Sequence, residues 1–193
     1  PMNALHLAPL LLMPALALAQ PSTASLQKQL DSDAGWEVLK LDAKGGVDVY
    51  KKKIDGVEIL GFKGEKIMDV DGGALFDAIV AFDTHVGLSD DIPLTHSEVL
   101  GRKGNTVDFY QYLDVPGWTL ANDRFWFARA TIQRDWGGPG HHRESWEKID
   151  AALYPAQLAA ALKVDEDAVL APMNVGSWEV VPLADGRCKL IYR

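Results

Sequence analysis

Short segments with alternating apolar and polar positions make up most of the chain after about residue 36. WEVLKLD, GVDVYKKKID and VEILGFKGEKI are rich in β-branched and aromatic residues and are separated by Gly and Asp turn signals. Similar segments fill residues 94–150, and the final VGSWEVVPLADGRCKLIYR predicts a hairpin around the Asp185-Gly186 turn. This pattern predicts an antiparallel meander of short strands.

Helical periodicity interrupts the strands at a few places. SLQKQLDSD predicts a short amphipathic helix, and residues 69–87 predict a longer one with Asp71 as N-cap and Leu75, Ile79 and Phe82 on one face. An Ala-rich stretch before the last two strands predicts a further short helix. The order β-β-β-α-β-β-β-β-(α)-β-β predicts an α+β fold, in which a curved sheet packs its concave face against a helix or a ligand.

The first twenty residues differ from the rest. They are apolar, are interrupted by Pro9 and Pro14, and end in a small-x-small pattern, Ala17 to Ala19. This composition is typical of a secretory signal peptide over residues 1–19, followed by one mature domain over residues 20–193. We therefore expect a periplasmic or secreted protein.

Composition and motifs exclude several functions. The net charge of -8, with no basic cluster longer than KKK at 51–53, excludes a nucleic-acid partner. The single cysteine, Cys188, allows no internal disulfide. No GxSxG, P-loop, HExxH or CxxC pattern is present, and the adjacent His141 and His142 of a strand would point to opposite faces. We expect no cofactor, no metal and no enzymatic activity.

Three segments resemble a known family. VDVYKKKIDGVEILGFKGEKIMDVDGGALFDAIVAFD resembles the opening strands and helix of a START (steroidogenic-acute-regulatory-related lipid transfer) domain of the bacterial type. PGWTLANDRFWFARATI and NVGSWEVVPLADGRCKLIYR resemble two later segments of the same family, in the same order. The resemblance extends from about residue 36 to residue 193.

The resemblance implies a helix-grip fold, in which a curved antiparallel sheet and helices enclose an apolar tunnel for one lipid. It implies one long helix after the first three strands and a C-terminal lid helix, which would be truncated here because the sequence ends at Arg193. The implied function is binding, with transfer, of a single hydrophobic ligand such as a sterol or phospholipid. The implied partners are that ligand and, transiently, a membrane surface, and we expect a monomer.

The resemblance also places Arg129 in the tunnel, as a polar anchor paired with Glu144 or Glu147 of the next strand. Strand alternation puts Phe125 and Phe127 on the face of Arg129 and Trp126 on the other face. Both faces of this strand are apolar, so alternation alone does not select the inner one. The alternative is that Arg129 lies on the solvent face and pairs with a surface carboxylate. The expected ligand-binding set is Arg129, Tyr110, Tyr112, Phe125, Phe127, Glu144 and Trp146.

Two other functions remain open. One is a helix-grip enzyme, of the cyclase or hydrolase type, that acts on a hydrophobic aromatic substrate with Arg129, Tyr110 and Glu144 converging in one cavity. The other is a structural or partner-binding module whose concave sheet face is filled by its own side chains.

Overall fold

The computed structural model describes residues 21–88, 92–119 and 121–193, so the predicted signal peptide, residues 1–19, lies outside the described residues. The helices are α1 (Thr23–Asp31), α2 (Gly72–Ile79) and α3 (Pro155–Val164), with 3-10 turns at Phe82–Thr84, Gly117–Thr119 and Ala151–Leu153. The strands are β1 (Glu37–Ala43), β2 (Val47–Lys53), β3 (Leu60–Met68), β4 (Leu94–Lys103), β5 (Thr106–Leu113), β6 (Arg124–Gln133), β7 (His142–Lys148), β8 (Val169–Leu170), β9 (Val175–Pro182) and β10 (Cys188–Tyr192).

The described strands form one open sheet in the order β1-β2-β3-β10-β9-β7-β6-β5-β4, and every neighbouring pair on this path is antiparallel. The two-residue β8 pairs in parallel with the start of β6. The predicted hairpin turn lies between β9 and β10, where Gly186 adopts a positive φ of 84°. The predicted α+β fold with a mainly antiparallel sheet is confirmed.

Helix α2 begins where the sequence predicts but ends earlier. The side chain of Asp71 accepts a hydrogen bond from the Ala74 N–H, which confirms it as the N-cap. The helix ends at Ile79, where the imidazole Nε2 of His85 donates to the Ile79 carbonyl at 2.9 Å. The helix that the sequence predicts to be long therefore has only eight residues. The His85 side chain, and not a backbone N–H of a further helical turn, satisfies the carbonyl of its last residue.

Different elements cover the two faces of the sheet. One face carries Trp126, Trp146 and Trp178 and is called the cavity face below. Helix α2 packs against this face through Phe76, which is fully buried beside Val180. On the opposite face, α3 and the preceding 3-10 turn cover the centre of β5 and β6, and α1 covers part of β2, β3 and β9. Because β6 is covered on both sides, its sequence is apolar on both faces.

Candidate ligand cavity

A cavity of about 810 Å³ lies between the cavity face of the sheet and the segment that contains α2. The helical side contributes Leu75, Ile79 and Phe82, the three positions that helical periodicity assigned to one face. The sheet contributes mainly aromatic side chains, which are Phe109, Trp126, Trp146, Trp178 and Tyr192. Both the volume and the apolar lining are typical of a small-molecule site.

The aromatic wall is held in place by direct contacts. The ring of Tyr192 lies 5.8 Å from that of Trp146 and 4.7 Å from that of Trp178, measured between centroids. The indole N–H of Trp146 donates to the Asn174 side-chain oxygen at 2.7 Å. The same indole lies across Gly176, where a Cβ atom would come within 2.5 Å of the ring. Glycine at this position therefore allows the indole to lie against β9.

A polar cluster inside the cavity satisfies its own hydrogen bonds. The amide nitrogen of Gln111 donates to Ser97 Oγ at 3.0 Å and to His85 Nδ1 at 3.1 Å, while its oxygen accepts the indole N–H of Trp126 at 3.1 Å. Burial lowers the pKa of His85, against the opposing effect of its hydrogen bond to Ile79. The neutral imidazole that results can accept at Nδ1 and donate at Nε2, as both contacts require.

Glu144 is the contrasting polar group of the cavity. Its side chain is buried, with the residue 2 % exposed, and it lines the cavity beside Trp178, its direct neighbour on β9. Within the described part of the chain, its carboxyl group has no hydrogen-bond or salt-bridge partner. Burial raises the pKa of Glu144 from 4.5 to about 8. This carboxyl group is therefore an unpaired titratable group facing an apolar cavity.

The prediction that Arg129 faces the cavity is wrong. Arg129 lies on the opposite face of β6, with its side chain 44 % exposed, and makes a bidentate salt bridge to Asp108 at 2.6 and 2.7 Å. The hydroxyl of Tyr154 donates to the same carboxylate at 2.7 Å. The hydrogen bond from Arg129 lowers the pKa of Asp108, against a smaller opposing effect of burial. This geometry agrees with the alternative that Arg129 lies outside the cavity and pairs with a carboxylate, although Asp108 is on β5 and its side chain is only 12 % exposed.

Four further residues of the expected binding set also lie outside the cavity. Tyr110 and Tyr112 of β5 pair directly with Phe127 and Phe125 of β6 on the opposite face, where all four are buried beneath α3 and its flanking turns. Their placement in the cavity is wrong because they share the face of Arg129, and that face is filled by protein. They form an ordinary cross-strand aromatic core.

Glu144 and Trp146 do lie in the cavity, and whether they bind a ligand stays a prediction. Tyr110 and Arg129 are on the other side of the sheet from Glu144, so the three groups proposed for a helix-grip enzyme do not converge. Trp126 and Trp178 line the cavity but are absent from the binding set that the sequence predicts. Strand alternation could have indicated Trp126, because it places this residue on the face of β6 opposite Arg129.

Within the described ranges, no group of three or more His, Cys, Asp and Glu side chains is placed to hold a metal ion. In that same part of the chain, no helix combines the length and the apolar composition that crossing a bilayer requires.

Comparisons with known proteins place this fold. No family model matches the chain, and no curated protein matches it either. Among solved structures, a STAR-related lipid transfer protein from Xanthomonas axonopodis is 19% identical with a TM-score of 0.64, covering 82% of this chain and 79% of that one. Human StAR-related lipid transfer protein 5 is 14% identical with a TM-score of 0.65, covering 86% and 73%.

Human STARD10 is 13% identical with a TM-score of 0.64, and the match covers 86% of this chain and 62% of that one. These matches agree with the observed combination of one open antiparallel sheet and three helices. The described chain therefore has the START-like helix-grip fold.

Proposed function

We propose that this protein binds one hydrophobic, lipid-like molecule in the cavity between α2 and the sheet. The observation that carries the proposal is the cavity itself, about 810 Å³ lined by aromatic and aliphatic side chains. Two structural neighbours whose names refer to lipid transfer support the same class of function. A ligand in this cavity gains about 0.8 kcal/mol for each methylene removed from water.

The shape of the ligand follows from the walls. Indole and phenol rings line the sheet side, and their contacts with each other and with Asn174 fix their positions. Such a wall favours a flat or extended apolar molecule, so a sterol or an acyl chain is the proposed class of ligand.

Transfer is the second part of the proposal. Leu88 and Ile92 line the cavity but are 67 % and 59 % exposed, so they lie on its solvent-open side. Exposed apolar side chains beside an apolar cavity favour transient contact with a membrane surface. We propose that a monomer of the protein takes up its ligand there, in the periplasm or outside the cell, to which the leader-like residues 1–19 would direct it.

Two measurements test the binding proposal. Lipid extracted from the purified protein and analysed by mass spectrometry should contain one co-purifying apolar species. Titration with a fluorescent fatty-acid probe should show saturable binding, and Ile79→Trp should weaken it at least about tenfold, because the indole would occupy the cavity.

The matched control is Leu162→Trp, which places the same side chain at an exposed position of α3, away from the cavity. Equal probe affinity in the unmodified protein and in both variants, with no co-purifying lipid, would contradict the proposal.

A further inference from the structure

The surroundings of Glu144 are aromatic on several sides. Trp178 lies directly opposite on β9, and Trp146 is two residues further along β7, on the same face. Tyr192 contacts both indole rings, at 5.8 Å from Trp146 and 4.7 Å from Trp178. One end of the cavity therefore combines a carboxyl group with three aromatic rings.

No cation of the described chain neutralises this carboxyl group. Arg143, its neighbour in sequence, points to the other face and binds Glu179 and Asp31. Arg124 lines the cavity but is eight residues along β6 from Ile132, the cross-strand neighbour of Glu144, a separation of about 26 Å along the strand.

The remaining neighbours of Glu144 are apolar or neutral. Helix α2 presents Leu75 and Ile79 to the cavity, and β6 presents Ile132 across the strand pair. The titratable groups on the cavity face near Glu144 include Tyr192 of β10 and His142 of β7. Arg134, two residues beyond Ile132, lies over the Phe76 ring and is paired with Asp77. Burial raises the pKa of Tyr192, so the phenol stays neutral at physiological pH.

His142 is engaged elsewhere. Its Nδ1 accepts the Asp135 N–H at 3.2 Å, and its ring lies 5.0 Å from that of Phe76 on α2. The carboxyl group of Glu144 is thus an ionisable group without a polar partner at this end of the cavity. The polar groups of the Gln111 cluster, in contrast, are hydrogen-bonded to one another.

We propose that this end of the cavity binds the cationic group of an amphiphilic ligand, a quaternary or protonated ammonium. The inference rests on the proposed apolar ligand binding and specifies the chemistry of the ligand's buried end. An ammonium ion would neutralise the carboxylate in a site where an unpaired charge is costly. The faces of Trp146, Trp178 and Tyr192 add cation–π attraction, which is stronger when the cation is desolvated.

The test compares two probes with the same apolar chain, decyltrimethylammonium and decanol, both used below any micelle-forming concentration. Binding is followed by isothermal titration calorimetry on the full chain, Glu144→Gln and Glu147→Gln. Glu147 is exposed on the same strand, so its variant makes the same chemical substitution outside the cavity. This control separates a specific site from general attraction of a cation to an acidic protein.

We expect the unmodified protein and Glu147→Gln to bind the cationic probe about tenfold or more tightly than decanol. Glu144→Gln should lose this preference and keep its affinity for decanol. In the unmodified protein, binding of the cation near neutral pH should release close to one proton, seen as a dependence of the heat on the buffer, because Glu144 ionises. Decanol should release none.

The outcomes separate this inference from the proposed function. Binding of decanol and of the cation with equal affinity, or a cation preference that survives in Glu144→Gln, would overturn the ammonium site and leave apolar ligand binding intact. Binding of neither probe would overturn both. The proton release needs no variant, so the inference stays testable even if Glu144→Gln does not fold.

Discussion

Replacing Glu144 by Gln should stabilise the fold, by an amount that grows with pH. The folded state raises the pKa of this carboxyl group from 4.5 to about 8, because burial disfavours its charged form. The folded protein therefore holds this proton more tightly than the unfolded chain does. The stability associated with that proton is fully present below about pH 4.5 and is lost as the pH rises towards 8.

The magnitude follows from these two pKa values. One pH unit of difference corresponds to about 1.4 kcal/mol, so the full loss above pH 8 is about 5 kcal/mol. Between about pH 5 and pH 7 the loss is about 2.5 kcal/mol. Glutamine has nearly the same shape and does not titrate, so Glu144→Gln should not show this loss. For a domain of this size, the difference in melting temperature between the proteins should grow by roughly 5–10 °C over that range.

Thermal melts and urea unfolding of the unmodified protein, Glu144→Gln and Glu147→Gln at several pH values measure this effect. The exposed Glu147 controls for the same substitution at a position outside the cavity. The expected result is that only Glu144→Gln gains stability relative to the unmodified protein as the pH rises. A difference between these two proteins that stays constant from about pH 5 to pH 8 would refute the reasoning, because it would mean that Glu144 has the same pKa in both states.

Further substitutions test other parts of the structure. Arg129→Met should cost less than about 1 kcal/mol in urea unfolding and leave probe binding unchanged, because its side chain is 44 % exposed and lies outside the cavity; a loss of binding would contradict its placement. Tyr112→Phe should cost about 1–3 kcal/mol, because its hydroxyl donates to Asp123 at 2.6 Å. Leu88→Glu with Ile92→Glu should slow ligand uptake from vesicles without weakening binding in solution; unchanged uptake would count against the membrane contact.

The sequence predicted the elements well because local chemistry determines them. Turn residues separate the strands, and the N-cap at Asp71 and the shared face of Leu75 and Ile79 follow from short-range rules. The end of α2 was mispredicted because it depends on His85, whose contact with the last helical carbonyl is not visible in helical periodicity.

The face of β6 could not be predicted because both of its faces are buried. Alternation correctly separated Phe125 and Phe127 from Trp126, but which group faces a cavity depends on what covers each side. The charge of Arg129 was misleading for the same reason. Its partner Asp108 is twenty-one positions earlier in sequence and becomes adjacent only through the register of β5 against β6.

The cavity exists because the two covers of the sheet differ. On the opposite face, aromatic rings fill the space beneath α3, and Phe127 stacks on Tyr154 at 6.2 Å. On the cavity face, α2 is only eight residues long, and the chain continues into a 3-10 turn that stacks Phe82 on Phe109 at 4.4 Å.

This cover is anchored at Phe76 and Phe82 but leaves about 810 Å³ between itself and the indole rings of the sheet. A void of that size, lined by apolar side chains and by one unpaired carboxyl group, lacks the contacts that a packed core would have. The short helix and the unpaired Glu144 therefore both support the proposed function, in which a molecule that enters the cavity completes the packing of this domain.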